Sequence, residues 1–338
     1  MKKNTGFGFT LVELLIGMVL GLVILGGVLN LFTQNNQTYD FVQGQSRLQE
    51  NARFALNELT RRARMIGYMG CFRFIELDGP NFVNTLNSGA NDYYYQLDGG
   101  NLELHSVDVG LPAKLSTDLA TTSPAGGTDV LVIRGIDDGE FGVAGAMPNT
   151  SADIKLNGNS GTSSGDVMLI SDCQKAAIFQ VSTANYQNGT NETNLTHNTG
   201  GSVSPGNATT PLSNTIPFDE DATVYNFSTN VFYVGPASFT NADGDTPNSL
   251  YQKTGTDAPF ELVSGITSFQ VWAGEDISGD GVADRFVRPN EITNLDNVVV
   301  LDLKITADSI ENILHSDGTD RPIAREFTAS VKLRNRGA

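Results

Sequence analysis

A single carboxylate, Glu13, interrupts an apolar run from Phe9 to Phe32 in which Thr10 and Asn30 are the only other strongly polar residues. On insertion scales an acidic side chain at the bilayer centre costs about 2.5–3.5 kcal/mol, so Glu13 calls for a partner that neutralises it. The run is headed by Gly8-Phe9-Thr10-Leu11-Val12-Glu13, behind a short basic segment holding Lys2 and Lys3. A cleaved secretory signal places a small-residue site after its apolar stretch. No A-x-A-like site follows Phe32 here, and the glycine precedes the run. A plain membrane anchor would leave Glu13 without a role. A second pattern is Asp276-Ile277-Ser278-Gly279-Asp280-Gly281-Val282-Ala283-Asp284, with side-chain oxygens at loop positions 1, 3, 5 and 9 and glycine at 6. With the Val282 carbonyl at position 7, this is the front half of a calcium loop. Position 12 is Val287, so the bidentate glutamate of an EF-hand is missing and Asp284 has to compensate. Calcium is therefore an expected cofactor, with Asp276, Ser278, Asp280, Val282 and Asp284 as its ligands. A tight Asp/Gly turn between strands is the alternative.

Other residues argue against catalysis. Gly161-Thr162-Ser163-Ser164-Gly165 matches the nucleophile-elbow pattern, but no apolar strand precedes it and no helical pattern follows. His105, His197 and His315 are far apart and lack metal-ligand spacing. No P-loop or dinucleotide fingerprint occurs. The chain is not expected to be an enzyme. Asn241-Ala242-Asp243-Gly244-Asp245 reads as a turn.

These residues need elements to hold them. The 24 residues from Phe9 to Phe32 make about 36 Å of helix, enough to cross a hydrocarbon core of about 30 Å. Beyond a polar stretch at 33–37, Leu48, Ala52, Ala55, Leu59, Ala63 and Ile66 recur every three or four residues as one apolar stripe. Glu50–Arg53, Glu58–Arg61 and Glu58–Arg62 support the polar side. Gly67 and Gly70 end the pattern. One helix of about 85 Å is thus expected over residues 9–66. It divides into a membrane or filament-core half, 9–32, and an amphipathic half within 33–67. Gly17 and Gly21 permit close helix approach, and Gly26-Gly27 is the expected weak point. Past Gly70 the pattern changes to strands, expected at 102–107, 129–134, 166–170, 176–181, 231–234, 268–273, 298–305 and 326–333. No helical pattern alternates with them, which favours antiparallel sheet. The expected fold is α+β: a long N-terminal helix packed on a mainly antiparallel domain, 68–338, with long loops. Residues 185–214 are nearly all Asn, Thr, Gly and Ser, and read as a low-complexity surface insertion with little to bury.

Charge and cysteine narrow the function. The chain has 338 residues and net charge −17; residues 1–70 hold seven Lys/Arg and four acids, a balance of +3, so residues 71–338 carry −20. Such a surface repels phosphate backbones, and no nucleic-acid partner is expected. Cys71 and Cys173 are the only cysteines. In an exported chain one disulfide between them is the default, closing a loop of about a hundred residues.

Gly8, Phe9 and Glu13, in that order and apolar context, resemble the class III leader of the type IV pilin superfamily. The resemblance implies that residues 1–8 are a leader, that a prepilin peptidase cuts after Gly8, and that Phe9 becomes an N-methylated terminus. Glu13 would then pair with the cationic amine on Phe9 of a neighbouring subunit. Further blocks resemble the PilW family of minor pilins: Ile170-Ser171-Asp172-Cys173 and the residues following to Val181, 262–269 before Gln270-Val271-Trp272, the 276–284 loop, and Val331-Lys332-Leu333-Arg334-Asn335. That family implies a low-copy subunit that primes pilus assembly with other minor pilins, the major pilin and the inner-membrane assembly machinery. It implies a position near the pilus tip, where the subunit could support an adhesin, with roles in adhesion and twitching motility. Before assembly the head would lie in the periplasm, anchored in the inner membrane. A minor pseudopilin of type II secretion and a membrane-tethered binding module are the alternative readings.

Overall fold

The computed structural model describes residues 10–73, 81–87, 93–95, 100–200, 204–315 and 318–335. Its first element is one unbroken α-helix, Leu11–Arg64, which passes through Gly26-Gly27 without a break. Thr10 caps its N-terminus, and Arg61, Arg62 and Arg64 place positive charge at the carbonyl end, where the helix dipole favours it. The helix stops at Met65, and Gly67 turns the chain with φ +80°, a conformation that costs a residue with a Cβ dearly.

The stripe from Leu48 to Ile66 is the buried face, each of its six side chains at 1% exposure or less. Alternating Ala with Leu lets the helix lie close against a four-stranded antiparallel sheet. The strand order is Arg285–Val287, Ile266–Glu275, Val298–Asp308, Ala324–Lys332. Phe269, Val271, Leu301, Leu303, Ile305 and Val331 face the helix stripe in one core. At the lower end of this packing, Gly44 lies against the Ile313 side chain, whose Cδ1 would sit 2.5 Å from a Cβ added there. At the upper end Asn335 reaches the Arg64 and Ile66 carbonyls.

A second sheet of eight strands is organised by the long strand Thr223–Pro236. Asp129–Gly142 runs antiparallel along one side of it. Val167–Ser171 and Asn248–Thr254 share the other side. The pairing is antiparallel throughout, except where Phe82–Asn84 runs parallel to Ala176–Gln180. Arg62 contacts Asp137 and Gly135 lies by Tyr68, so the end of the Asp129–Gly142 strand continues past the C-terminal end of the helix. There it carries a second core, built on Ile154, Leu156, Phe179, Leu195, Leu212 and Phe218.

All eight expected strands are present, several longer than the apolar pattern alone implied. Residues 185–214 differ from expectation. They do not form a loop with little to bury. Thr183–Gln187 and Glu192–Thr196 make a hairpin that pairs with Ile154–Asn157. Leu195 and Leu212 are fully buried, and Asn207 is 2% exposed. Alternation decides it: in Glu192–Thr196 only Thr193 and Leu195 face inward, which two apolar partners on Ile154–Asn157 suffice to cover.

Candidate assembly site

Gly8 and Phe9 lie outside the described residues. Glu13 sits in the first turn of the helix, where its carboxylate and Thr10 form a reciprocal cap. The Thr10 N–H donates to Glu13 Oε2 at 2.9 Å and the Thr10 hydroxyl donates to the same oxygen at 3.0 Å. The Glu13 N–H donates to Thr10 Oγ1 at 3.3 Å. Each atom thereby satisfies a helix-end amide that lacks an intrahelical acceptor. Among the described residues, Glu13 Oε1 takes no bond, so half of the carboxylate stays open. Around it every large apolar side chain from Leu11 to Phe32 is 53–77% exposed. This is the one helix in the described chain long and apolar enough to cross a membrane, and none of that window is buried against the head. The chain therefore carries a single-pass membrane helix whose apolar stretch, residues 11–32, holds one carboxylate, Glu13, with one oxygen capped and one free.

Thr10 was not singled out from the sequence, although Thr10-Leu11-Val12-Glu13 is a capping-box pattern.

Cys71 and Cys173 form a disulfide, with Cα atoms 4.6 Å apart. The bond ties the segment after the helix to the turn between Val167–Ser171 and Ala176–Gln180. In that turn Asp172 Oδ1 accepts the Gln174 and Lys175 amides, and its other oxygen pairs with the buried Lys175 ammonium.

The 276–284 loop connects Ile266–Glu275 to Arg285–Val287. Asp276 accepts amides from Gly279 at 2.6 Å, Asp280 at 3.2 Å and Gly281 at 2.7 Å. Desolvation opposes ionisation of Asp276, but the Gly281, Gly279 and Asp280 amides together hold its carboxyl below the usual range. The Ser278 and Ile277 amides do the same for Asp284. The Ser278 hydroxyl lies 3.3 Å from Asp276 Oδ1 and 3.4 Å from Asp284 Oδ1, so three of the expected ligand oxygens converge. The Asp280 carboxylate instead accepts the Val282 amide at 2.9 Å. Among the described residues no three His, Cys, Asp or Glu side chains form a metal-ligating group. The loop is anchored by Glu275, wholly buried beside it. Burial opposes its charge, but the Asn294 amide, the Thr293 hydroxyl and amide, and Arg285 bring its pKa down to about 2. The 161–165 segment is loop, with the Ser163 amide donated to Asp166. Asn241–Asp245 is a turn closed by Asn241 Oδ1 on the Asp245 amide, as expected.

Residues 3–29 match the prokaryotic N-terminal methylation motif. With the exposed apolar helix and the antiparallel head, this makes the chain a type IV pilin-like protein. Within that class residues 232–330 match type IV pilus-assembly protein W. The match takes in 262–269, Gln270-Val271-Trp272 and the 276–284 loop, whereas the blocks at 170–181 and 331–335 fall outside it. No curated protein and no solved structure matches the chain.

Proposed function

We propose that the protein is a minor pilin that primes type IV pilus assembly together with other minor pilins and stays near the pilus tip. The open Oε1 of Glu13, at the head of a wholly exposed apolar helix, carries the reading. Cleavage after Gly8 by a prepilin peptidase leaves a cationic amine on Phe9. In lipid, Glu13 of one subunit and that amine on another each relieve a charge the bilayer disfavours. Docking then brings the apolar faces of the two helices together while the heads pack side by side. The second core beyond the helix gives this head a bulk suited to a rare terminal subunit and able to present an adhesin. The 276–284 loop adds a calcium proposal, supported by the convergence of Asp276, Ser278 and Asp284 oxygens. Its role would be to stiffen the loop.

Glu13→Ala tests the assembly role, since it removes the charge and keeps the span. The expected outcome is normal membrane insertion, loss of co-purification with other minor pilins, and few or no surface pili. Unchanged piliation and incorporation would remove the role assigned to Glu13. Intact piliation with lost exoprotein secretion would move the protein to a type II secretion system. A tethered binding module would be indifferent to the change.

A further inference from the structure

Asn-Gly occurs twice in the chain, at Asn157-Gly158 and Asn188-Gly189. The fold treats the two differently. Asn157 ends the Ile154–Asn157 strand; its Nδ2 donates to the Val143 carbonyl at 3.4 Å. The Gly158 amide donates to the Asn191 carbonyl at 2.8 Å, and Gly158 is held at φ +76°. Asn188 and Gly189 instead open the four-residue turn between Gln187 and Glu192, which are paired across the hairpin. Asn188, Gly189, Thr190 and Asn191 are all exposed. Among the described residues neither the Asn188 side chain nor the Gly189 amide has a hydrogen-bond partner. A Cβ built on Gly189 meets nothing within 4 Å, and its φ is not left-handed.

We propose that Asn188 is a site of spontaneous covalent modification on the exposed head: deamidation through a succinimide. The Gly189 backbone nitrogen attacks Asn188 Cγ. The N–Cγ bond forms, the Cγ–Nδ2 bond breaks, and the Gly189 amide proton passes through solvent to the departing nitrogen, which leaves as ammonia. Water then opens the ring at either carbonyl, giving aspartate or isoaspartate at 188. No enzyme, oxidant or reductant is required. Three features favour attack here. The nucleophile has no hydrogen bond to break, glycine leaves its approach unhindered, and an exposed turn has backbone freedom that a paired strand lacks. At Asn157 the same chemistry must first free the Gly158 amide from Asn191. Each conversion adds a negative charge to the hairpin, and isoaspartate adds a carbon to the main chain at the turn that sets its register. The outermost hairpin of the second core therefore changes with the time the head has spent in water.

The test uses the full-length protein in detergent, held at mildly alkaline pH and sampled over time, with peptide mass mapping of both Asn-Gly sites. The expected result is progressive conversion at Asn188, including isoaspartate, with Asn157 unchanged. Gly189→Ala fits the same backbone and should slow conversion about tenfold. The chain unfolded in urea supplies the control in which both sites convert. If the folded protein keeps Asn188 intact over that time, or converts both sites at one pace, the proposal is overturned. Glu13 variants do not enter this test, so its outcome is independent of the assembly role.

Discussion

Two polar segments of the head reach order by opposite means. The 276–284 loop gathers its own backbone amides around two carboxylates, with Asp276 accepting three and Asp284 two. The 185–214 segment is ordered around a neutral amide. Asn207 is 2% exposed; its Oδ1 accepts the Gln180 amide at 2.8 Å and the Thr85 hydroxyl at 3.0 Å. Its Nδ2 donates to the Gln180 and Asn198 carbonyls at 2.7 and 3.3 Å. The loop can close locally because charge and turn residues sit within a few positions of one another. The other segment depends on partners outside it, Thr85 and Gln180, which one side chain joins to Asn198 within it. A local solution leaves a recognisable spacing; a long-range one does not.

The largest effect should come from breaking the long-range solution. Asn207→Ala leaves the Gln180 amide and carbonyl without their side-chain partner at a buried site. Each unsatisfied group costs about 1–3 kcal/mol, so the second core should lose about 3 kcal/mol. Hydrogen exchange should rise in Glu192–Thr196 and Ala176–Gln180, while the strands under the helix keep their protection. Equal loss across both cores would mean that the segment is not an independent unit. Asn207→Asp should be worse than a neutral isostere would be, because a buried carboxylate cannot donate to the Gln180 carbonyl.

The same contrast explains what was legible in the sequence. The helix stripe and the disulfide pair were readable because each is set by local spacing or by a very short list of candidates. The eight expected strands were readable as apolar runs. Their extensions, such as Thr223–Pro236 beyond 231–234, were not, because the polar run Ser228-Thr229-Asn230 interrupts the apolar pattern and the strand is bulged at Tyr225/Phe227. The order of 185–214 was unreadable by composition, since Leu195 and Leu212 are its fully buried leucines and Asn207 looks like any other asparagine. Thr10 carries a legible signal, the capping-box spacing to Glu13, set inside the apolar run that marks the membrane helix.

A middle-sized effect should separate the loop from a plain turn. Extracellular calcium loops bind in the range of about 10⁻⁴–10⁻³ M. At about tenfold excess over the dissociation constant, binding would stabilise the folded head by about 1.4 kcal/mol. Thermal melts in calcium should then lie above melts in chelator, and Asp284→Asn should abolish the difference by removing charge from one of the three converging oxygens. Coincident melts would leave 276–284 as a closed Asp/Gly turn, held by amides alone. Asn207→Ala should not alter the calcium response if the two segments are ordered independently.

The smallest effect concerns His197, which lies on the 185–214 side of the contrast and is 3% exposed. Its Nε2 lies 3.0 Å from the Ala152 carbonyl, so that nitrogen carries the proton, and Nδ1 is buried without a partner among the described residues. Burial lowers its pKa; the Ala152 carbonyl and the charge of Asp153 oppose the shift only in part. With the folded pKa below the unfolded one, the unfolded chain binds the proton first as pH falls. Stability is therefore full above the unfolded value, about 6.5, and declines as pH falls through the folded value, where the loss is complete. Denaturant midpoints taken across that window should fall for the second core. In His197→Gln, which has no titrating group, this part of the decline should vanish. A decline of the same size in His197→Gln would assign it to carboxylates elsewhere. That result would leave the buried amide, and not the buried imidazole, as what distinguishes this segment from the acidic loop.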